Sequence, residues 1–156
     1  MKRAGFILVT LVAFSISACN NSNNKKTESK EPLTTIADSL MAYIEDGHNA
    51  GMAKYGKLKA MQNKVQQIID SIGKLPGKTR TSLAPYKANM DSLLAKLNSA
   101  RAGMDKWMDE FNMDSALNNM EQRIKYLSEE KLKISKIKES ILHSLHKADS
   151  LTKVKF

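Results

Sequence analysis

The chain has little of what cross-links or interrupts a fold: one cysteine, three prolines and seven glycines in 156 residues. A single cysteine, Cys19, excludes an intramolecular disulfide. Beyond Leu33 only Pro76 and Pro85 remain, so little prevents long helices. The sequence also lacks a glycine-rich phosphate loop, a Ser/His/Asp order and a Cys/His nucleophile pair. We therefore expect that the protein is not an enzyme.

The one long apolar run lies at the N-terminus, where MKR is followed by AGFILVTLVAF and SISACN. A basic start, an apolar stretch and small residues before a cleavage point are the parts of a signal peptide. The run is shorter than the roughly 20 apolar residues that a membrane span needs. Residues 16–19, Ile-Ser-Ala-Cys, resemble a bacterial lipobox, whose cysteine carries lipid. The alternative is a plain secretory signal with an incidental cysteine.

This pattern predicts a lipoprotein: a signal peptide over 1–18, then a lipidated Cys19, with palmitate among its acyl chains, anchored to a membrane of the cell envelope. We expect the protein to face the periplasm. Residues 19–32 contain no apolar side chain after the cysteine, and such composition cannot bury enough surface to become ordered. They are predicted to form a flexible tether.

From Leu33 onward apolar residues recur at spacings of three and four, which indicates amphipathic helices. The predicted helices cover about 33–72, 81–111 and 115–152, and Asp114 or Ser115 is expected to cap the third. Short connections make neighbouring helices antiparallel. The fold prediction is therefore all-α: one domain, 33–156, forming an elongated antiparallel three-helix bundle or coiled coil. A turn at Asp46-Gly47 that splits the first helix is the alternative.

Positive charge dominates, with a formal net charge of +9. Residues 54–101 hold ten Lys or Arg and two Asp, whereas 105–121 hold one Lys and five acids. The hairpin between the first two helices, with Lys74, Lys78 and Arg80, is thus a basic tip that an anionic envelope polymer or protein could contact. A merely solvated face is the alternative. Nucleic acid is not an expected partner, because an anchored envelope protein does not meet it.

Two AGM tripeptides place Gly51 and Gly103 inside predicted helices, where glycine costs roughly 1 kcal/mol relative to alanine. Counting from the hairpin brings a soft-donor cluster to one level: His48, Met52, Met104, Met108, Met120 and Trp107. Thioethers with an imidazole suit Cu(I), and the indole could contribute a cation–π contact. The alternative is ordinary core packing by methionine. His143 and His146 are expected to be solvated.

Five of the eight aspartates are followed by serine and an apolar residue. Helix capping is the simple explanation, but it fits copies inside helices poorly. The tripeptides resemble the D-[S/T]-aliphatic sequon at which envelope proteins of Bacteroidota are O-glycosylated. The candidate serines are Ser39, Ser71, Ser92, Ser115 and Ser150.

The stretch HNAGMAKYG, residues 48–56, resembles a motif of the form H-D-E-V-M-P-K-M-G in small Bacteroidota lipoproteins that carry the name "viral A-type inclusion protein". It matches at His48, Met52, Lys54 and Gly56. The later ARAGMDKWMDEF is similar to the family's A-x-x-M-M-x-W-M-x-x-Y, and YLSEEKLKISKIK also looks alike. The resemblance implies a lipoprotein; the family name implies no function. The acids that follow the histidine in the motif are missing here.

Two functions remain open from the sequence. The first is a lipid-anchored, non-enzymatic helical module for interaction or structure in the cell envelope. The second is a periplasmic protein that binds Cu(I) or Ag(I) through the methionine, histidine and tryptophan cluster.

Overall fold

Four helices account for nearly all of the computed structural model, which describes residues 32–153. They are α1 (Leu33–Gly73), α2 (Gly77–Ser82), α3 (Ala84–Glu110) and α4 (Met120–Leu151). The described part of the chain contains no strand and belongs to one compact unit. The predicted all-α bundle of three long helices is confirmed, and the short α2 is an addition in the first connection.

Helices α1 and α3 are antiparallel. Tyr55 on α1 donates a hydrogen bond to Asp105 on α3, and further along α1 the Gln62 amide donates to Asn98, which comes earlier in α3, at 2.7 Å. Residue numbers therefore rise along α1 in the direction in which they fall along α3.

The first and last helices run parallel to each other. Tyr43 lies opposite Ser135, with 3.5 Å between the two hydroxyl oxygens, and Lys57 forms an ion pair with Asp149 at 2.7 Å. The order is thus up, down, up, and α1 packs more extensively on α4 than on α3.

The core follows the apolar stripes that the sequence predicts. The ten largest side chains that are essentially inaccessible are Ile44, Leu58, Val65, Met90, Leu93, Leu97, Met104, Leu127, Ile134 and Ile141. The stripe of the last helix contains two surprises, since Glu130 and Ser144 are buried. Leu117, which lies within the predicted third helix, is exposed because it precedes the observed α4.

Prolines set the first connection. Leu75 precedes Pro76, and a residue before proline is disfavoured in helical geometry, so α1 ends at Gly73. Pro76 then flanks α2, and Pro85 lies in the first turn of α3, where a missing N–H costs no hydrogen bond.

Helix α1 continues through Gly47, so the alternative of a turn at Asp46-Gly47 is wrong. Gly47 and Gly51 are both buried. A Cβ on Gly47 would lie 3.2 Å from a methyl of Ile134 on α4. The absence of that side chain allows the two parallel helices to approach.

The third long helix begins later than predicted, at Met120 rather than near 115, and its cap is Asn119 rather than Asp114 or Ser115. The Asn119 side chain accepts a hydrogen bond from the Gln122 backbone N–H at 3.1 Å. Upstream, Ala116 has a positive φ of 56°, which interrupts helical geometry.

Two lysines that interrupt the apolar stripe of α4 extend over an exposed tyrosine of α1. The ammonium of Lys131 lies 4.4 Å from the centre of the Tyr43 ring, and that of Lys138 lies 5.9 Å from it. Both ammonium groups are therefore within cation–π range of the ring, and these contacts link α4 to α1.

Candidate functional site

A cleft of about 400 Å³ lies between α1 and α3, next to the loop that connects α3 to α4. This α1–α3 cleft is lined by Met41, Ile44, Glu45, His48, Asn49, Trp107, Met108, Phe111 and Met113. The lining is largely apolar with a few polar groups, and both the size and the composition are typical of small-ligand sites.

The Trp107 indole, which forms one wall of the α1–α3 cleft, is held in place by contacts with α4 and with Phe111. Trp107 Nε1 donates a hydrogen bond to Glu130 on α4 at 2.8 Å, and its ring stacks on Phe111 with centroids 4.8 Å apart. Glu130 is only 4% exposed. This wall of the cleft is therefore held in place by a hydrogen bond in the interior of the bundle.

Glu130 is paired as a buried charge must be. Its second carboxylate oxygen accepts a hydrogen bond from the Lys133 ammonium at 2.7 Å. This hydrogen bond raises the pKa of Lys133 above its ordinary value. Lys133 itself is largely exposed, so the pair links the interior to the surface.

His48 is half-buried beside the indole, with ring centroids 5.7 Å apart. Its Nδ1 lies 3.3 Å from the side-chain oxygen of Asn49. With the proton on Nδ1, the imidazole donates to that oxygen and keeps a lone pair on Nε2. The arrangement can thus present Nε2 as a ligand or acceptor.

The connecting loop, residues 111–119, is held by side chains of α4. Arg123 donates two hydrogen bonds of 3.0 Å, to the carbonyls of Met113 and Ser115. The hydroxyl of Tyr126 accepts from the Asn112 N–H at 2.8 Å. Met113 therefore lies at the rim of the α1–α3 cleft on a loop that hydrogen bonds to α4 hold in place.

Of the six residues predicted as a soft-metal cluster, the α1–α3 cleft contains His48, Trp107 and Met108. The other three, Met52, Met104 and Met120, are not among the lining residues and pack with the hydrophobic core. Counting residues from the hairpin predicted that His48 and Met104 lie at one level. In the structure His48 contacts Trp107, so the predicted level differs from the observed one by about one helical turn.

The glycines of the two AGM tripeptides have different surroundings. A Cβ on Gly51 would collide with the terminal methyl of Met104 and lie 3.5 Å from Ile141. A Cβ on Gly103 would meet only Ile137, at 3.7 Å, an ordinary contact. Gly51 makes room for a core methionine, whereas no close neighbour requires Gly103.

Sequence reasoning missed two methionines of the α1–α3 cleft. Met41 lies seven residues before His48, two turns along the same face, and that spacing could have identified it. Met113 belongs to a segment between the second and third predicted helices, whose loop geometry gives no periodic signal.

The remaining predicted sites lie on the surface. Ser39, Ser71, Ser92 and Ser150 are exposed and Ser115 is half-buried. His143 and His146 are exposed, as are all three cations of the basic tip, Lys74, Lys78 and Arg80. Arg80 donates to the Gly73 carbonyl at 3.3 Å, at the end of α1.

The predicted signal peptide, the predicted lipidation site Cys19 and the predicted tether up to residue 31 lie outside the described residues. Between residues 32 and 153, no helix has the combination of length and apolar composition that a membrane crossing requires. Comparisons with protein-family models, with curated proteins and with solved structures gave no match.

Proposed function

We propose that this chain is a lipid-anchored protein of the cell envelope whose helical bundle is a non-enzymatic binding module. In this proposal the α1–α3 cleft receives an apolar group of a ligand or partner, and the lipid on Cys19 holds the module at a membrane. The observation that carries the proposal is the exposed methionine rim of a cleft whose walls are fixed.

The rim supports binding because its apolar surface is displayed rather than buried. Met113 is 63% exposed and Met108 is 38% exposed, although both belong to the same apolar surface as Phe111. Exposed apolar surface beside a concave site is a common property of interaction sites. Thioether side chains also adapt to guests of different shape.

The fixed walls support binding for a second reason. Trp107 is bonded to Glu130, and Arg123 holds the carbonyl of Met113. Little side-chain and loop freedom is then lost when a guest enters, and a preorganised site binds more tightly for the same contact area.

The anchor in this proposal comes from the sequence of residues 16–19 and from the polar composition of the segment that follows. A polar linker of about 14 residues behaves as a flexible chain whose ends are roughly 20 Å apart. A module on such a tether can sample orientations near the membrane surface and present its cleft to a partner.

The test uses a neutral, apolar fluorescent probe, N-phenyl-1-naphthylamine, titrated into the purified full chain. We expect saturable binding that Met113→Glu weakens by about tenfold or more, since a carboxylate at the rim must be desolvated by an apolar guest. Leu132→Glu is the matched control, because Leu132 is 61% exposed on α4 and outside the α1–α3 cleft. Equal binding by both variants, or no saturable binding by the parent, refutes the module.

A second candidate function, binding of a soft metal ion, is favoured by a specific observation. His48 and three methionines, Met41, Met108 and Met113, line the same cleft.

A further inference from the structure

We propose that the α1–α3 cleft binds one soft monovalent cation, Cu(I) or Ag(I), through the imidazole of His48 and the thioethers of Met41, Met108 and Met113. This ligand class rests on the accessible cleft that the proposed function also requires. Compared with the cluster predicted from the sequence, this set of ligands keeps His48 and Met108. It omits the buried and half-buried Met52, Met104 and Met120 and adds two methionines of the cleft lining.

The donors that line the cleft come from three separate segments of the chain. Met41 and His48 come from α1, Met108 from α3, and Met113 from the α3–α4 loop. Neutral thioether sulfur and imidazole nitrogen are ligands that Cu(I) and its analogue Ag(I) prefer. One imidazole and three thioethers would complete a four-coordinate site.

Exposure distinguishes Met108 and Met113 from core fillers, whereas Met41 is half-buried and also packs against the core. Met90 and Met104 are completely buried in the bundle. Met108 and Met113, in contrast, expose a third or more of their surface beside the cleft. Filling irregular core space does not explain an exposed thioether, whereas a sulfur donor must be accessible to an incoming ion.

His48 makes the kind of ring-nitrogen contact with an oxygen that is usual for a histidine ligand. A metal-binding imidazole commonly donates its other ring N–H to an oxygen, which fixes the tautomer. The Nδ1 to Asn49 oxygen contact, at 3.3 Å, has this arrangement and leaves Nε2 for the ion. Asn49 also lines the α1–α3 cleft, so the contact belongs to the site.

The electrostatics favour an ion of low charge. Glu45 is the one carboxylate among the residues that line the cleft, and it can balance a single positive charge. Within residues 32–153, no group of three or more His, Cys, Asp or Glu side chains is arranged to hold a metal ion. The donor chemistry of the cleft therefore matches a soft monovalent ion better than Zn²⁺ or Mg²⁺.

The experiment is a titration of the purified full chain, carrying Cys19→Ala to remove the one thiol that would compete for the ion, with silver nitrate in chloride-free buffer. Trp107 is the sole tryptophan, and its ring lies 5.7 Å from that of His48, so its fluorescence reports occupancy directly. We expect saturable quenching at one ion per chain. His48→Ala and Met113→Leu are each expected to raise the Kd by about tenfold or more.

The controls are His143→Ala and Met61→Leu. His143 is an exposed histidine of α4, and Met61 packs against the core elsewhere on α1. Both variants should keep the parent Kd within about twofold. Met113→Leu alters an exposed side chain, and circular dichroism verifies that each variant is folded.

The outcomes separate this inference from the proposed function. Without saturable quenching, or with equal losses in the control variants, the cation site is refuted; binding of the apolar probe would then leave the module intact. If Ag(I) binds with the expected variant pattern but the probe does not bind, the cation site stands and the apolar-guest module falls.

Discussion

Gly51→Ala tests the close contact between α1 and α3 that explains one of the two AGM tripeptides. Replacing a helical glycine by alanine normally stabilises a helix by roughly 1 kcal/mol. At Gly51 the new methyl would overlap the terminal methyl of Met104, which is completely buried. Because the colliding atom is the flexible end of Met104, which can shift within the core, we expect the overlap to cost about 1 kcal/mol, the low end of the range for overpacked cores.

Gly103→Ala is the matched control, because it adds the same methyl to a helix where the nearest atom lies 3.7 Å away. We expect the control to raise the free energy of unfolding by about 0.5–1 kcal/mol. Gly51→Ala should lie about 1 kcal/mol below this control. For a chain of this size, each kcal/mol shifts Tm by about 2–4 °C.

The assay is urea unfolding followed by circular dichroism, extended to a double-mutant cycle. Met104→Leu removes the methyl that collides, so Gly51→Ala should cost less in that background, with a coupling of about 1 kcal/mol. If both alanine substitutions stabilise the parent equally, or if the cycle shows no coupling, the packing explanation of Gly51 is refuted.

Three further predictions concern the anchor, a helix cap and an ion pair. Cys19→Ala should move the protein from the membrane fraction to the soluble fraction on cell fractionation; a variant that stays membrane-bound and migrates like the parent contradicts the lipid anchor. Asn119→Ala should lower the free energy of unfolding by about 1 kcal/mol, whereas Asp114→Ala should change it little; the reverse order would return the cap to the position expected from sequence. The hydrogen bond from Lys57 lowers the pKa of Asp149, so the pair stabilises the fold at neutral pH and loses this contribution as the pH falls through that lowered pKa. In Lys57→Met the Asp149 pKa should rise toward its ordinary value in an NMR titration, and an unchanged pKa would exclude Lys57 as the cause.

The bundle was predictable because apolar periodicity and the two prolines determine it locally. Residues such as Ile44, Leu97 and Ile141 lie at helical spacing and are all buried. The first connection follows from the restriction that Pro76 imposes on its neighbour. Such signals come from within a few residues of the position that they predict.

The start of α4 was not predictable from the same local signals. Asp114, Ser115 and Asn119 are all suitable cap residues. The choice among them depends on Arg123, which binds the carbonyls of the loop from within the helix that follows. This interaction exists only after the loop has folded back.

The candidate site was partly predictable for a related reason. Counting residues from the hairpin brought His48 near Trp107, because helical rise is uniform. It could not decide which methionines turn toward the cleft, since that depends on the rotation of each helix and on the loop. Met104, which the count placed in the cluster, instead packs against Gly51 in the core. Met113, which the count did not include, lies at the rim of the cleft.

Trp107 belongs to two parts of the molecule at once. One face of its indole forms the wall of the α1–α3 cleft, while its N–H is bonded to the buried carboxylate of Glu130 on α4. A shift of α4 away from Trp107 would break this hydrogen bond, release the ring that forms the wall, and leave Lys133 as the partner of Glu130. Binding in the cleft and the packing of α4 are then thermodynamically linked. A change that weakens the packing of α4 lowers the affinity of the cleft for its guest. By the same linkage, a bound guest stabilises the packing of α4.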